Sequence, residues 1–432
     1  MLADFFHKRK REVMQPFNAI GEASNRTVMV SSHIWWTDLM AFSLLKLGYN
    51  VVLAQPWYAI WGNDENFNRF DVLYSDILAT IRKYNVKLLI GGNSTAMLSH
   101  PKTHVPIHRA AGIPAVHYWW DAPRVMPEMM AKRGLTLRDY VGTLRDEQTL
   151  NCIWDIDVLE ELGRFLGIAN TAHLPLAATP EMWETTNVPL ADRPVKVSFL
   201  GTGHPVSDAQ KAKWDPTLRE WAEQTVNAKL ADRDRPMIDC VARVKPSPRA
   251  AGETPDPDAI YRREFDRWEI VDAMLAERVR TKTVLAVAEK LGDELELIGT
   301  GWESMGLKPV KDHSGVPDAK KHYVAAKASL NLFGGSVHGG MPLRPFEIAS
   351  SNGLIFTAYQ RELPTLYEPG KECVAFRNVD EMREQLDRIL ARPEEYDRVV
   401  QAGRERTIAE HTWDHRMKRL IELATERFGI DW

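Results

Sequence analysis

The stretch GGSVHGGMPLRPFEIA (334–349) gathers residue types that can hold an anion and the hydroxyls beside it. Its glycines let backbone N–H groups approach a charged oxygen closely, and a helix start adds a favourable dipole. His338, Gly339, Gly340 and Arg344 stand just ahead of a predicted helix, whose first turn suits Pro345 because that N–H would be unpaired anyway. A diphosphate fits this pattern. Glu347 falls in the same first turn, where a carboxylate either complements the helix dipole or accepts hydrogen bonds from ribose hydroxyls.

Two further glycine loops follow predicted strands: Gly201-Thr202-Gly203, and Gly299-Thr300-Gly301 with Trp302. They serve either as ordinary turns or as further anion contacts. In the first half, His33, Asn93 and Asp121 each follow a predicted strand, and His117 lies near the end of one. Asp121 can orient or deprotonate an acceptor hydroxyl, with His117 and His33 as alternatives for that catalytic role. Fourteen tryptophans are many for this length, and Trp35-Trp36, Trp57 with Trp61, and Trp119-Trp120 form three clusters. Core filling accounts for such residues. On loops, Trp35, Trp36, Trp119 and Trp120, with Asn93, would instead suit a sugar acceptor. Asp-X-Asp pairs at 155/157, 232/234 and 256/258 resemble metal ligands, but a chain this rich in aspartate produces such pairs by chance, and no metal site is expected. No GxSxG, HExxH or P-loop motif occurs.

Residues placed this way need elements that end at a common edge. Short apolar runs at 27–31, 49–54, 86–90 and 114–118 alternate with helical spacing, and each leads into a glycine or polar loop. The pattern restarts at 195–200, 294–298, 328–332, 354–357 and 373–376. That is the signature of doubly wound parallel sheets, whose ligands sit beyond the carboxyl ends of the strands. The prolines and charges of 189–194 suit a linker, giving an acceptor-side domain over 1–190 and a second domain over 191–405. A polar, helix-rich insert covers about 205–292, and charged helices occupy 406–432.

The 432 residues carry a net charge of −4, which disfavours a nucleic-acid partner gripped by charge alone. No run is long enough to span a bilayer, and no signal peptide is expected. Cys152, Cys240 and Cys373 lie far apart without a CxxC pair. A reducing, cytoplasmic compartment is the expectation.

Several of these stretches resemble the CgeB-like glycosyltransferases, a spore maturation protein-like branch of the GT-B superfamily (glycosyl transferases group 1). They are VHYWWDAP (116–123), HLPLAATPEMW (173–183), VKVSFLGTG (195–203), LELIGTGW (295–302), LRPFEIASSNGLIFTAYQRELPTLYEPGKECVAF (343–376) and EHTWDHRM (410–417). The resemblance implies a GT-B fold of two Rossmann-like domains facing a cleft, with a nucleotide-sugar in the C-terminal one. It implies that Glu347 binds ribose, that Arg344 and the 334–340 loop bind diphosphate, and that the 299–302 loop lies near the base. It also implies that the helices after His411 cross back to the first domain. Retaining members often carry an earlier glutamate eight positions before the one matched by Glu347; here that position is Gly339.

The expected function is transfer of a sugar from a nucleoside-diphosphate-sugar, UDP-sugar foremost, to an acceptor hydroxyl on a glycan, protein or small molecule. No metal or other cofactor is expected. The alternatives are a non-catalytic nucleotide-sugar binder on the same fold, a nucleotide-sugar epimerase and a DNA glucosyltransferase.

Overall fold

The computed structural model describes residues 14–17, 26–31, 35–54, 70–93, 99–100, 102–103, 105–125, 136–182, 185–242, 257–310 and 316–432. His33, Trp57, Trp61 and Asp256 lie outside these residues.

Two sheets carry the chain. The first holds β1 (Met14–Phe17), β2 (Thr27–Ser31), β3 (Asn50–Ala54), β4 (Leu88–Gly92), β5 (Ala115–Trp119), β6 (Thr149–Ile153) and β7 (Thr171–His173), in the order β1-β3-β2-β4-β5-β6-β7. Only the β1–β3 pair is antiparallel. The second holds β8 (Val195–Leu200), β9 (Leu295–Ile298), β10 (Ala326–Asn331), β11 (Ile355–Ala358) and β12 (Val374–Phe376), all parallel, in the order β12-β11-β10-β8-β9. The expected two α/β domains with doubly wound parallel sheets are present.

β1, β6 and β7 are additions to the strands expected. β6 reads TLNCI, and its polar residues hide it from an apolar-run criterion. The buried Asn151 is satisfied inside the sheet layer: its amide donates to Leu144 O at 2.9 Å and its carbonyl accepts from Trp119 Nε1 at 3.0 Å. A buried polar side chain is tolerated when it is paired in this way.

Strand order reverses between β2 and β4 in the first sheet and between β8 and β10 in the second, which opens a crevice at each carboxyl edge. These two edges face each other. Asp155, just beyond the carboxyl end of β6, accepts hydrogen bonds from the amides of His338 and Gly339, beyond the end of β10, at 2.7 and 3.1 Å.

The insert bridges the two halves. Its helix Pro257–Ala276 places Phe265 in the first domain's core with Trp119, Leu137 and Tyr140. The terminal helix Trp413–Phe428 returns to the first domain, where Trp413 packs against Tyr118 and Trp120 with ring centroids 5.8 and 5.4 Å apart. Lys46, ending helix Trp35–Lys46, pairs with Asp414. The stretch 189–194 is tied down rather than loose: Arg193 donates to Val188 O, Ala326 O and Asn352 O. Among the described residues no helix is long and apolar enough to cross a membrane.

Candidate functional site

The loops after β8 and β9 are zipped to one another. Gly201 N donates to Ile298 O at 2.9 Å and Gly203 N to Thr300 O at 2.8 Å, extending the strand ladder beyond its ends. Gly299 sits at φ +128°, and a Cβ there would stand 2.4 Å from Gly201 O. Glycine is needed for backbone to meet backbone. Trp302 is buried under this pair, its Nε1 donating to Gly201 O at 2.8 Å, and Gly301 N donates to the Glu303 carboxylate at 3.1 Å. Of the residues expected to reach a donor here, Gly201, Gly203 and Gly301 therefore have their amides engaged within the domain. Trp302 has no exposed face.

The 334–340 loop is a contact between domains. Besides the two amides on Asp155, a Cβ on Gly339 would stand 2.5 Å from the Asp157 carboxylate, and one on Gly340 2.6 Å from the Asp155 backbone. His338 is fully buried, with Nδ1 2.5 Å from Glu161 of the first domain and Nε2 2.7 Å from Asp272 of the insert. Burial opposes its charge, but the two carboxylates outweigh both that and Arg124, so its pKa rises to about 9. Arg124, following β5, joins the same cluster through Glu161 at 2.8 Å and Asp272 at 3.1 Å. The Asp155/Asp157 pair is likewise occupied by protein. Asp155 caps helix Ile156–Leu166, and Asp157 pairs with Lys229 at 2.8 Å and Arg361 at 2.7 Å. Asp234 of the second pair meets Arg377 at 3.0 Å.

Past this contact, at the edge of β8 and β10, a different group is gathered. Helix Arg344–Ser350 starts with Arg344 and buries Glu347. The Tyr323 hydroxyl donates to Glu347 Oε2 at 3.4 Å. Burial pushes the Glu347 carboxyl up to about 7, opposed by the Arg344 charge and the Tyr323 hydroxyl. Nothing in the sequence pointed to Arg280, inside a polar insert more than sixty residues before Arg344, but it stands here too. Its two Nη atoms donate to Thr202 O at 3.2 Å and Leu332 O at 3.3 Å.

On the first domain, Asn93 and Asp121 form a unit at the carboxyl ends of β4 and β5. The Asn93 amide donates to Asp121 Oδ2 at 2.9 Å, while its carbonyl accepts from the Trp120 and Asp121 amides at 2.6 and 3.1 Å. Asp121 keeps an exposed face; desolvation of its carboxyl raises the pKa and the Asn93 amide counters this. The arrangement can hold a carboxylate toward an acceptor. His117 does not share it. That ring is sealed in the sheet layer, with neither nitrogen hydrogen-bonded, and burial with the nearby His108 pushes its pKa down to about 3. An imidazole without solvent contact cannot take a proton from an acceptor, so the catalytic role expected of His117 has no geometric support. Trp119 and Trp120 are core residues for the same reason, both buried against other aromatic rings. Trp35 and Trp36 open helix Trp35–Lys46.

Residues 278–422, roughly a third of the chain, match the family model described as glycosyl transferase-like. In this stretch the chain is similar to glycosyltransferases of group 1. The match contains Arg280, Tyr323, Arg344 and Glu347. No curated protein sequence matches the chain. Among solved structures, sucrose-phosphate synthase from Thermosynechococcus elongatus aligns over 94% of this chain and 99% of its own, at 12% identity and a TM-score of 0.49. HepE from Anabaena, in complex with UDP and glucose, aligns over 92% and 90%, at 10% identity and a TM-score of 0.44. The catalytic domain of starch synthase IV from Arabidopsis thaliana, bound to ADP and acarbose, aligns over 88% and 83%, at 10% identity and a TM-score of 0.46.

Proposed function

We propose that the protein is a CgeB-like glycosyltransferase of GT-B type that moves a sugar from a nucleoside-diphosphate-sugar to an acceptor hydroxyl in the cytoplasm. One observation carries this reading. Glu347, a buried carboxyl flanked by Arg344 and Tyr323, lies at the carboxyl edge of the second sheet, within the glycosyl transferase-like segment. A carboxylate in that place accepts hydrogen bonds from paired ribose hydroxyls, while Arg344 meets the adjoining diphosphate. Asp121, held by Asn93, takes the proton of the attacking hydroxyl. Arg344 stabilises the charge that develops on the departing diphosphate, so the reaction is expected to proceed without a metal. A thermal-shift panel of UDP-, GDP-, ADP-, CMP- and TDP-sugars tests the reading, because a ligand that binds only the folded state raises the melting temperature. UDP-sugar is expected to give the largest shift; no shift with any of them at millimolar concentration contradicts the donor site.

A non-catalytic nucleotide-sugar binder is the second reading. It is favoured by Gly339, which stands where retaining members often carry the earlier glutamate. Slow hydrolysis of the bound donor without acceptor distinguishes the two, since a binder shows none.

A further inference from the structure

Two α/β domains joined by a linker and a polar surface move relative to one another by default. This chain adds a further element between them. The insert leaves the second domain after β8 and returns to it at β9, so both of its ends are rooted in one half. Its middle reaches the other half at several places. Helix Pro216–Ala231 brings Lys229 to Asp157 of the first domain at 2.8 Å, with both side chains buried. The start of helix Met237–Ala242 meets the same carboxylate, Met237 N donating to Asp157 Oδ2 at 3.0 Å. Helix Pro257–Ala276 supplies Phe265 to the core around Trp119 and Tyr140 and, further along, Asp272 to Arg124 at 3.1 Å.

The same segments grip the second domain. The backbone oxygen of Asp272 lies against Gly335, where a Cβ would stand 1.6 Å from it, while the Asp272 carboxylate holds Arg124 of the first domain. Arg233, just past Lys229, donates to Tyr359 O at 3.1 Å, beyond the end of β11. Trp221, Met237 and Trp268 belong to one apolar cluster with Leu150 of the first sheet and Leu330 and Phe356 of the second. Separating the halves requires withdrawing an aromatic side chain from a core and parting a buried ion pair. Mobile domains part instead along surfaces that are already polar.

We infer that the insert is a strap that holds the two domains at one fixed orientation, so that ligands enter a preformed cleft without domain closure. The strap rests on these contacts alone. Only the choice of UDP as the ligand that probes it rests on the donor reading.

Pulsed electron-resonance distances between spin labels on Ser75→Cys, in the first domain, and Glu384→Cys, in the second, test the strap in the full chain. Both positions are exposed on helices, and the native cysteines are buried. The ligand-free protein is expected to give one narrow distance distribution, whose mean moves by less than about 2 Å when UDP is added. A second population, or a larger shift with UDP, overturns the strap while the donor reading stands. If calorimetric titration shows no UDP binding, the donor reading fails and the ligand-free distribution alone judges the strap. Adding Lys229→Met, Phe265→Ala and Asp272→Asn together releases the insert from the first domain and is expected to broaden the distribution. An unchanged narrow distribution in that folded variant overturns the insert's part. If the variant does not fold, scanning calorimetry of the wild type decides. One transition with equal calorimetric and van't Hoff enthalpies supports the strap, and separate transitions for the two domains overturn it.

Discussion

His338 bridges Glu161 of the first domain and Asp272 of the insert at 2.5 and 2.7 Å, so a single buried imidazolium joins the two halves of the chain. Its pKa of about 9 lies above the ordinary 6.5. The folded state therefore binds this proton more tightly than the unfolded state. The resulting stability is complete below pH 6.5 and is lost as pH rises through 9. At pH 6, His338→Gln should cost about 1.5–3 kcal/mol, because it removes the charge-assisted hydrogen bonds of the imidazolium and leaves Glu161 and Asp272 with Arg124. Denaturant unfolding of both proteins at pH 6 and pH 9.5 checks this. The wild-type advantage is expected to shrink with pH, and a constant advantage contradicts the bridge.

Gly339 has no room for a side chain, since a Cβ would stand 2.5 Å from the Asp157 carboxylate. Gly339→Ala should displace that carboxylate from Lys229 and Arg361 and lower stability by about 1–3 kcal/mol. A melting temperature equal to wild type would show that the domains do not dock through this loop.

Turnover should survive chelation. Asp155 and Asp157 are held by backbone amides, Lys229 and Arg361, which leaves that Asp-X-Asp pair engaged within the protein. Donor hydrolysis measured with and without EDTA is expected to agree. Loss with EDTA that Mg²⁺ or Mn²⁺ restores would require a metal on the diphosphate.

Asp121→Asn should cut transfer roughly a hundredfold or more while nucleotide affinity stays at the wild-type value. The substitution keeps the shape that Asn93 holds and removes only the base. Equal turnover in the folded variant would take the acceptor proton elsewhere.

Much of the architecture is legible in the sequence because parallel strands buried on both faces are written as apolar runs, as in β2 (TVMVS) and β4 (LLIGG). β6 escapes because Asn151 replaces an apolar residue and is satisfied by partners from other elements. The glycine loops are legible as loops, but their partners are not. Gly201 with Gly299, and Gly339 with Asp157, are close approaches that only the folded chain brings together. Composition alone cannot separate a glycine that admits a ligand from one that admits a neighbouring strand or side chain. Trp119, Trp120 and His117 show the matching error for side chains. They lie in or just after β5 (AVHYW), yet all three point into packed layers. Arg280 leaves no local trace, because the π-helical segment that aims it is a property of the folded insert.

The donor site stands or falls on Glu347. Its folded pKa of about 7 exceeds the ordinary 4.5, so burial disfavours the charged form, and the fold loses stability as pH rises from 4.5 to 7. Ribose hydroxyls that donate to the carboxylate favour that same charged form, so nucleotide affinity should rise between pH 6 and pH 8. Calorimetric titration of UDP, or of the nucleoside diphosphate of whichever sugar gives the largest thermal shift, into wild type and Glu347→Gln at both pH values measures this directly. Wild type is expected to bind more tightly at pH 8 than at pH 6. Glu347→Gln should bind roughly ten- to a hundredfold more weakly at pH 8, with no dependence on pH. Equal affinity of the two folded proteins at pH 8 would contradict a ribose contact at Glu347 and the donor site built on it.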